Sequence, residues 1–236
     1  MLRGVEAADP STQARNAAAA AALDEVRPDT AIGLGSGRAL WRVVELIAER
    51  WPDGPPLQAA TASEVTARRA REAGIELVDL GAGVRLDLAV DGADEIDPDL
   101  NLTKGGGAAL LREKLVISAA ERFVCVAETR KRVRRLGDTH PLPVEIVRFA
   151  WEQTRDRVLA VVPTAELRED DAGAPVVTDE GHYLLDCGLP AGGSVHEIGA
   201  ELKGLVGVVE HGLFLGMTDV ALLGTEDGEV ERLEGA

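Results

Sequence analysis

The segment 90–114 carries groups that could together move protons on an oxygen-rich substrate. Two carboxylates, Asp91 and Asp94, come first, a lysine and three glycines follow at 104–107, and Glu113 comes last. Carboxylates can accept and return protons, while an ammonium group and free backbone N–H groups can hold the negative charge that develops. The pattern predicts that this segment carries the chemistry of the chain.

The acidic cluster at the start of this segment has a chemical and an ordinary interpretation. Asp91 and Asp94 flank a Gly-Ala turn where a predicted strand ends, a place where carboxylates also cap helices or close Asx turns. Glu95, Asp97 and Asp99 follow closely, and we expect them to be solvated loop charges. Asp91 and Asp94 are therefore the catalytic candidates of the cluster.

The residues that follow suit a loop in contact with a ligand. Lys104 precedes Gly105, Gly106 and Gly107, whose backbone can approach a ligand closely at the start of the next helix. In that predicted helix, Glu113 lies about two turns from the start. Most helical glutamates are exposed, so a catalytic Glu113 must reach the substrate and have a tuned pKa.

A second glycine-rich turn, at 33–37, lies between a short apolar run and a helical segment. Gly35, Ser36 and Gly37 could present N–H groups and a helix N-terminus to a phosphate, and Arg38 adds a cation. The turn matches neither the dinucleotide-binding fingerprint nor a Walker A loop. A tight turn that only packs a helix on a strand is the alternative.

Short apolar runs alternate with helical segments over the first 137 residues. Strands are predicted at 30–34, 57–60, 75–80, 86–90 and 123–127, and helices at 14–26, 39–50, 63–73 and 107–120. Buried strands separated by helices indicate a Rossmann-like α/β domain with a mainly parallel sheet, where ligands bind at the carboxyl ends of the strands. Asp91 lies at such an end.

The pattern changes after Gly137. The run 140–143, His-Pro-Leu-Pro, is typical of a linker, and the turn 179–181 between apolar runs indicates a hairpin. Strands are predicted at 144–147, 165–169 and 176–185, and helices at 151–159 and 195–205. A second, smaller α+β domain fits best, so we predict one domain from 1–138 with 212–236 and another from 139–211. The apolar runs 213–214 and 220–224 are expected to return to the first sheet.

The composition limits the classes of function. The chain has 236 residues, 41 of them acidic and 25 Lys or Arg, for a formal charge of -16, which disfavours nucleic acid and anionic membranes as partners. One hypothesis for this acidity is adaptation to high salt. No apolar run reaches 18 residues, and residues 1–6 lack the apolar part of a signal peptide, so we expect a cytoplasmic protein. Cys125 and Cys187 are predicted to be buried thiols, and no metal-ligand spacing is present.

The motifs, taken in order, closely resemble the signature of one enzyme family, the type A ribose-5-phosphate isomerases. The resemblance is strongest over 91–95, 104–110 and 112–114. It extends to the glycine turn, to Lys131 and to the segments 141–145, 176–181, 212–214 and 219–224. It therefore spans nearly the whole chain.

The resemblance implies reversible conversion of D-ribose 5-phosphate to D-ribulose 5-phosphate, with no metal or nucleotide cofactor. The glutamate matching Glu113 would move a proton between C1 and C2 through an enediolate, and Asp91, Asp94 and Lys104 would assist ring opening and handle the hydroxyl groups. Phosphate would lie against the first glycine turn, with Ser36 and Lys131 as ligands. The family also implies a homodimer or a homotetramer.

The chain departs from the family at the phosphate end. The family usually has Gly-Thr-Gly-Ser-Thr in the first turn, whereas this chain has Gly-Ser-Gly followed by Arg38 and Ala39. Arg15 replaces an N-terminal lysine and can also bind phosphate. Two alternatives therefore stay open: an isomerase for another phosphorylated sugar, suggested by Arg38, and a non-catalytic sugar-phosphate sensor.

Overall fold

A computed structural model of the chain describes residues 9–235, with the side chain of residue 82 excepted. The predicted absence of an apolar leader at residues 1–6, and the start of the first predicted domain, lie outside the described residues. The six helices of the described part are α1 (Pro10–Leu23), α2 (Arg38–Arg50), α3 (Glu64–Glu72), α4 (Leu110–Ser118), α5 (Trp151–Val158) and α6 (Val195–Gly204). Single 3₁₀ turns lie at Gly81–Gly83 and Thr129–Lys131.

The strands of the described part form three sheets. They are β1 (Ala31–Leu34), β2 (Gln58–Thr61), β3 (Glu76–Leu77), β4 (Leu88–Asp91), β5 (Glu95–Ile96), β6 (Leu102–Thr103), β7 (Phe123–Glu128), β8 (Leu142–Ile146), β9 (Thr164–Leu167), β10 (Tyr183–Gly188), β11 (Val208–His211), β12 (Leu213–Phe214), β13 (Val220–Gly224) and β14 (Val230–Glu234).

The central sheet has seven strands in the order β14-β13-β7-β4-β1-β2-β3. All neighbouring pairs are parallel except β13 with β14. The interior strands are short and almost entirely buried, as expected for a parallel sheet covered on both faces. The Rossmann-like α/β fold predicted from the sequence is confirmed, and the run 220–224 returns to the first sheet as expected. The same prediction for 213–214 is wrong, because β12 pairs with β6 in the three-stranded sheet.

Local sequence signals explain where the helices begin. Asp9 caps α1 by accepting the N–H of Thr12, and Pro10 follows it at the first helical position. Ser63 caps α3 through the N–H of Thr66. In α2 the apolar stripe at positions 40, 43, 44 and 47 is fully buried against the central sheet, so this helix is held just behind the first glycine turn.

The four-stranded sheet is antiparallel, in the order β11-β8-β10-β9. With α5 and α6 it surrounds its own apolar cluster, which includes Val144, Leu185 and Leu202. The predicted linker at 140–143 is wrong in its second half, because Leu142 and Pro143 are buried residues of β8. The predicted hairpin turn at 179–181 is present, with the pair Val177 and Tyr183 closing it. The division into two domains at residues 138 and 212 stays a prediction.

The smallest sheet, in the order β12-β6-β5, contains a residue whose environment differs from the sequence prediction. Glu95 in β5 was expected to be a solvated loop charge, but its side chain is fully buried. It accepts hydrogen bonds from the backbone N–H groups of Gly137, Thr139 and His140 and from the hydroxyls of Thr103 and Thr139. Burial of this carboxylate is tolerated because five donors replace its water.

Membrane-spanning helices and disulfide bonds are both absent from the described residues. No helix within 9–235 is long and apolar enough to cross a membrane. Cys125 and Cys187 are both buried and unbridged, as predicted, and burial raises the pKa of each thiol to about 12.

Candidate active site

The carboxyl edge of the central sheet opens into a cavity of about 360 Å³. The first glycine turn after β1, the loop after β4, the start of α4 and the end of β7 all contribute to its wall. The predicted site residues that line it are Arg15, Ser36, Gly37, Arg38, Asp94, Lys104, Gly105, Gly106, Gly107, Glu113 and Lys131. The two remaining predicted residues, Gly35 and Asp91, lie behind this wall.

Asp91 ties the first glycine turn to the loop after β4. Its Oδ1 accepts the backbone N–H groups of Ser36 at 3.0 Å and Gly92 at 2.7 Å. A Cβ on Gly35 would lie 1.8 Å from Asp91 Cγ, so only glycine permits this approach. The side chain of Asp91 is 1% exposed, and burial raises its pKa, although Lys104 and the two N–H groups oppose that rise.

Lys104 is the central cation of the site. Its Nζ donates to Gly92 O at 2.7 Å and lies 2.9 Å from Asp91 Oδ2 and 3.3 Å from Glu113 Oε2. The ring of Phe214 covers it, with the ring centre 5.5 Å from Nζ. Burial lowers the pKa of Lys104, but the charges of Asp91 and Glu113 outweigh burial and leave the pKa raised. The lysine is therefore a permanent positive charge at the cavity wall.

Glu113 lies closer to the helix start than the sequence predicts. Ala108 has φ +61°, in the left-handed region, and α4 begins only at Leu110, so Glu113 lies in the first turn and not two turns in. Its side chain is 6% exposed and faces the cavity. Burial, and then the charge of Asp91, raise the pKa of Glu113 to about 8, although Lys104 lowers it. A carboxyl with such a pKa can take and return a proton near neutral pH.

The three glycines form a tight loop that faces Asp94. Gly106 donates its backbone N–H to Asp94 Oδ2 at 2.8 Å, and a Cβ on Gly106 would lie 2.9 Å from Asp94 Oδ1. Gly105 has φ +108° and packs against Leu110 and Pro143, where a Cβ would meet Leu110 at 2.8 Å. Gly105 and Gly106 are thus required by close contacts, whereas a Cβ on Gly107, which lines the cavity beside them, would have no neighbour within 4 Å.

The opposite end of the cavity is rich in cations. Ser36 and Arg38 stand at the N-terminus of α2, where Gly37 provides no side-chain cap. Arg15 reaches in from α1, and Lys131 from the 3₁₀ turn after β7. A helix N-terminus with free N–H groups and three flanking cations suits a phosphate group.

Three residues of this end were not predicted from the sequence. Glu128, at the end of β7, is buried and lies 3.2 Å from Arg15 Nη2 and 3.6 Å from Arg130 Nη2. Trp41 of α2 also lines the cavity. A carboxylate at the end of a buried strand was available as a signal, but the contact of Glu128 with Arg15 joins positions 113 apart in sequence.

The fold and the site together define an α/β protein with a buried carboxylate–lysine cluster and a cationic anion-binding end, the arrangement expected of an enzyme acting on a phosphorylated, oxygen-rich molecule. Comparison with known proteins narrows this class. The family model of ribose 5-phosphate isomerase A (phosphoriboisomerase A) matches residues 58–228. The chain belongs to this family.

Individual relatives cover almost the whole chain. It is 46% identical to the ribose-5-phosphate isomerase A of Roseiflexus castenholzii over 219 residues, which cover 92% of this chain and 94% of the relative. It is 44% identical to that of Synechococcus sp. over 216 residues, covering 91% and 94%.

Solved structures of ribose-5-phosphate isomerases have the same fold as this chain. The ribose 5-phosphate isomerase from Plasmodium falciparum superposes with a TM-score of 0.90 at 33% identity, covering 95% of this chain and 98% of that one. A D-ribose-5-phosphate isomerase in complex with phospho-erythronic acid superposes with a TM-score of 0.87 at 34% identity, covering 93% and 97%.

Proposed function

We propose that Glu113 is the base of an aldose–ketose isomerase and that Lys104 and the glycine loop stabilise its intermediate. Family membership assigns the reaction: the chain interconverts D-ribose 5-phosphate and D-ribulose 5-phosphate. The observation that carries the assignment of roles is the burial of Glu113 against Lys104 at the wall of a cavity of substrate size.

The proposed proton transfer follows from this arrangement. With the open-chain aldose bound, the Glu113 carboxylate removes the proton from C2, and the electron pair moves toward O1 to give an enediolate. Lys104, and the N–H groups around Gly105 to Gly107, stabilise the oxyanion. Glu113 then returns the proton to C1 while a proton passes from O2 to O1, which gives the ketose. The raised pKa of Glu113 suits both halves of this exchange.

The remaining predicted residues have supporting roles in this proposal. Asp94, held by Gly106 N–H at the cavity wall, is placed to exchange protons with the substrate hydroxyls during ring opening. Asp91 acts through Lys104, because it contacts that ammonium group from behind the wall. Ser36, Arg38, Arg15 and Lys131 would bind the phosphate.

We also propose a cytoplasmic homodimer or homotetramer. Phe149 and Val206 support self-association, because they are 90% and 78% exposed and their segments are joined by the hydrogen bond from Val147 N to Gly207 O. Apolar side chains exposed together are typical of protein interfaces. Sedimentation in buffers of increasing salt tests this: a monomer throughout would contradict it.

The direct test is turnover of ribose 5-phosphate by the purified protein. Glu113→Gln keeps the shape of the side chain but removes the base, so kcat is expected to fall by a factor on the order of 10²–10⁴ with KM little changed. Glu72→Gln, at an exposed position of α3, is the matched control and should leave kcat unchanged. Loss of the C2 deuterium of labelled substrate to solvent reports the proton transfer itself.

Other results would redirect the assignment. Turnover of a different phosphorylated sugar, but not of ribose 5-phosphate, would favour the alternative substrate. Binding of ribose 5-phosphate without turnover would favour a sensor. An active Glu113→Gln variant would remove Glu113 from the mechanism even if the reaction were confirmed.

A further inference from the structure

Arg168 contacts the glycine loop from outside the cavity. It immediately follows β9, and its Nη1 donates to Gly105 O at 2.7 Å and to Gly106 O at 3.3 Å. The residue does not belong to the cavity wall. The four-stranded sheet therefore contributes a cation to the back of the loop that faces Asp94 and Glu113.

Asp186 fixes the guanidinium in this position. It lies in β10, paired with β9, and accepts Arg168 Nε on Oδ2 at 3.0 Å and Nη2 on Oδ1. Both side chains are mostly buried, with 15% and 26% exposure. A two-point pair between a planar guanidinium and a carboxylate specifies orientation as well as contact. Nη1 is thereby aimed at the loop.

Holding a carbonyl oxygen also aims the N–H group on the other side of the peptide. In a trans peptide the C=O of one residue and the N–H of the next point in opposite directions. Arg168 holds Gly105 O, and the N–H of the same peptide, that of Gly106, donates to Asp94 Oδ2 at 2.8 Å. Negative and positive groups therefore alternate: the Asp186 carboxylate, the Arg168 guanidinium, the Gly105 carbonyl oxygen, the Gly106 N–H and the Asp94 carboxylate.

The next peptide follows the same rule. Its carbonyl, Gly106 O, also faces Arg168, so the N–H of Gly107 is directed away from the guanidinium. Gly107 lines the cavity, and within residues 9–235 its N–H donates to no protein acceptor. This N–H is therefore available to a bound oxyanion.

The N–H of Ala108 also donates to Gly105 O, but within residues 9–235 Arg168 is the one donor to Gly106 O, so without it the planes of the three glycines would be less well fixed. Glycine has the greatest backbone freedom of all residues, and each peptide can rotate between orientations that reverse its dipole. Stabilisation of a developing charge requires donors that are already oriented before the charge forms. An external cation that holds both carbonyls provides that orientation without occupying the cavity.

We infer that Arg168, held by Asp186, is a positioning residue for the isomerisation: it fixes the peptide planes of the glycine loop so that Gly106 N–H holds Asp94 and Gly107 N–H faces the enediolate. The inference rests on the proposed function. It makes the four-stranded sheet part of the catalytic apparatus, although that sheet supplies no residue to the cavity wall.

The test compares Arg168→Ala, Arg168→Lys and Asp186→Asn with the unmodified protein. Arg168→Ala is expected to lower kcat about tenfold or more while KM changes less than about threefold, since orientation and not phosphate binding is lost. Arg168→Lys keeps the positive charge but not the planar group that binds at two points, so its kcat should lie between those of Arg168→Ala and the unmodified protein. Guanidinium ion at millimolar concentration should restore part of the activity of Arg168→Ala, whereas the same concentration of sodium chloride should not.

A second readout uses an inhibitor and a control variant. Phospho-erythronic acid carries a carboxylate where the enediolate carries its charge, so its inhibition constant should rise with the loss of kcat in Arg168→Ala. Arg148→Ala is the matched control, because Arg148 is an exposed arginine that contacts Tyr183 of the same sheet. It should change none of these quantities.

Amide hydrogen exchange of residues 104–108 tests the loop without turnover. Faster exchange in Arg168→Ala than in Arg148→Ala supports the positioning of the loop by Arg168. An inactive unmodified protein would remove the proposed function, and the exchange result would then still decide whether Arg168 orders the loop. If the unmodified protein is active and Arg168→Ala keeps kcat within about twofold, or if its exchange at 104–108 is unchanged, the inference is overturned.

Discussion

Lys104 and Glu113 place their charged atoms, Nζ and Oε2, 3.3 Å apart at the cavity wall, where both side chains are almost fully buried. Asp91 shares the same ammonium group at 2.9 Å and also accepts two backbone N–H groups. The two carboxylates thus share one cation, and Asp91 is in addition stabilised by two N–H donors. We expect Asp91 to hold its charge and Glu113 to carry the proton when the site is empty.

The pH dependence of turnover follows from this unequal sharing. Glu113 must be ionised to remove the substrate proton, and its pKa is raised to about 8 by burial and by Asp91. Activity should therefore be lost as pH falls through about 8 in the free enzyme, well above the usual range of a glutamate. The measurement is kcat/KM for ribose 5-phosphate from pH 5 to pH 10.

The variant Asp91→Asn tests whether the charge of Asp91 helps to raise the pKa of Glu113. It removes the charge that raises the pKa of Glu113 and leaves Lys104 to Glu113 alone, so the acid limb of kcat/KM should move to lower pH. An acid limb near pH 4.5 in the unmodified protein would show that burial does not control Glu113.

Lys104→Met should cost both activity and stability. It leaves Asp91 and Glu113 buried next to each other without a cation, and an unpaired buried charge typically destabilises a protein by about 3–5 kcal/mol. The loss should be smaller at pH 5, because the two carboxyls can then take up protons. Urea unfolding at pH 5 and pH 8 measures the difference.

Lys203→Met is the matched lysine control. Lys203 also pairs with a carboxylate, Glu210, but its side chain is 51% exposed. Exposed pairs contribute about 1 kcal/mol or less, so this variant should unfold almost as the unmodified protein does. Equal losses for Lys104→Met and Lys203→Met would argue against a special cation at position 104.

Arg38 should affect substrate binding and not the chemical step. It is exposed at the cationic end of the cavity, next to the N-terminus of α2. Arg38→Ala is expected to raise KM for ribose 5-phosphate, and the inhibition constant of inorganic phosphate, by about three- to tenfold, with kcat unchanged. Arg42→Ala, on the same helix but paired with Glu45 and Glu49, is the control. A fall in kcat alone would contradict a phosphate-binding role.

The acidic surface predicts a dependence on salt. At a net charge of -16, self-repulsion should weaken as the screening length falls from about 10 Å at 0.1 M to about 3 Å at 1 M salt. The melting temperature should therefore rise in potassium chloride from 0.1 M to 2 M. An uncharged osmolyte at equal osmolarity is the control. A melting temperature that is constant or falls with salt would exclude salt adaptation.

The central sheet could be predicted because its signals are local. The apolar runs that became β1, β4 and β7 are short, buried and bounded by glycine or acidic turns, which indicates parallel strands regardless of the rest of the chain. The position of Asp91 at a strand end followed directly, whereas its hydrogen bond with the N–H of Ser36 in the first glycine turn was not predicted.

The start of α4 could not be predicted to the residue. The helix was predicted to begin at Gly107, but Gly105 O accepts the N–H of Ala108, whose left-handed backbone delays the helix until Leu110. Glu113 therefore faces the cavity from the first turn. The close contacts of Gly105 with Leu110 and Pro143, which leave no room for a Cβ, help to fix this path.

Polar contacts between residues far apart along the chain could not be predicted from the sequence either. Arg168 and Gly105 are 63 positions apart, and Glu95 and Thr139 are 44 apart. In their local sequences Arg168 and Glu95 look like ordinary surface charges, because Gly105 and Thr139, to which they are bound, lie far away along the chain. Burial of such charges depends on the assembled fold and not on local propensity.

Four of the five donors to Glu95 join β5 to the segment 137–140, and the fifth is the hydroxyl of Thr103 in β6. Glu95→Gln keeps the shape but replaces the charge with an amide whose NH₂ group faces N–H donors. Hydrogen bonds to a charged group contribute about 1.5–3 kcal/mol each, so we expect a loss of at least about 2 kcal/mol in the free energy of unfolding at pH 7. Asp99→Asn, in the turn between β5 and β6 and exposed, is the control and should cost little.

The pH dependence of this loss shows whether it comes from the missing charge of Glu95 or from altered packing around the amide. The donors lower the pKa of Glu95 below its usual value of 4.5, so its stabilising effect is complete above that pH and declines as pH falls through the lowered pKa. Urea unfolding of Glu95→Gln and the unmodified protein should therefore differ most at neutral pH and converge in acid. A difference that persists unchanged at pH 3 would show that the amide disturbs packing and that the charge itself contributes nothing.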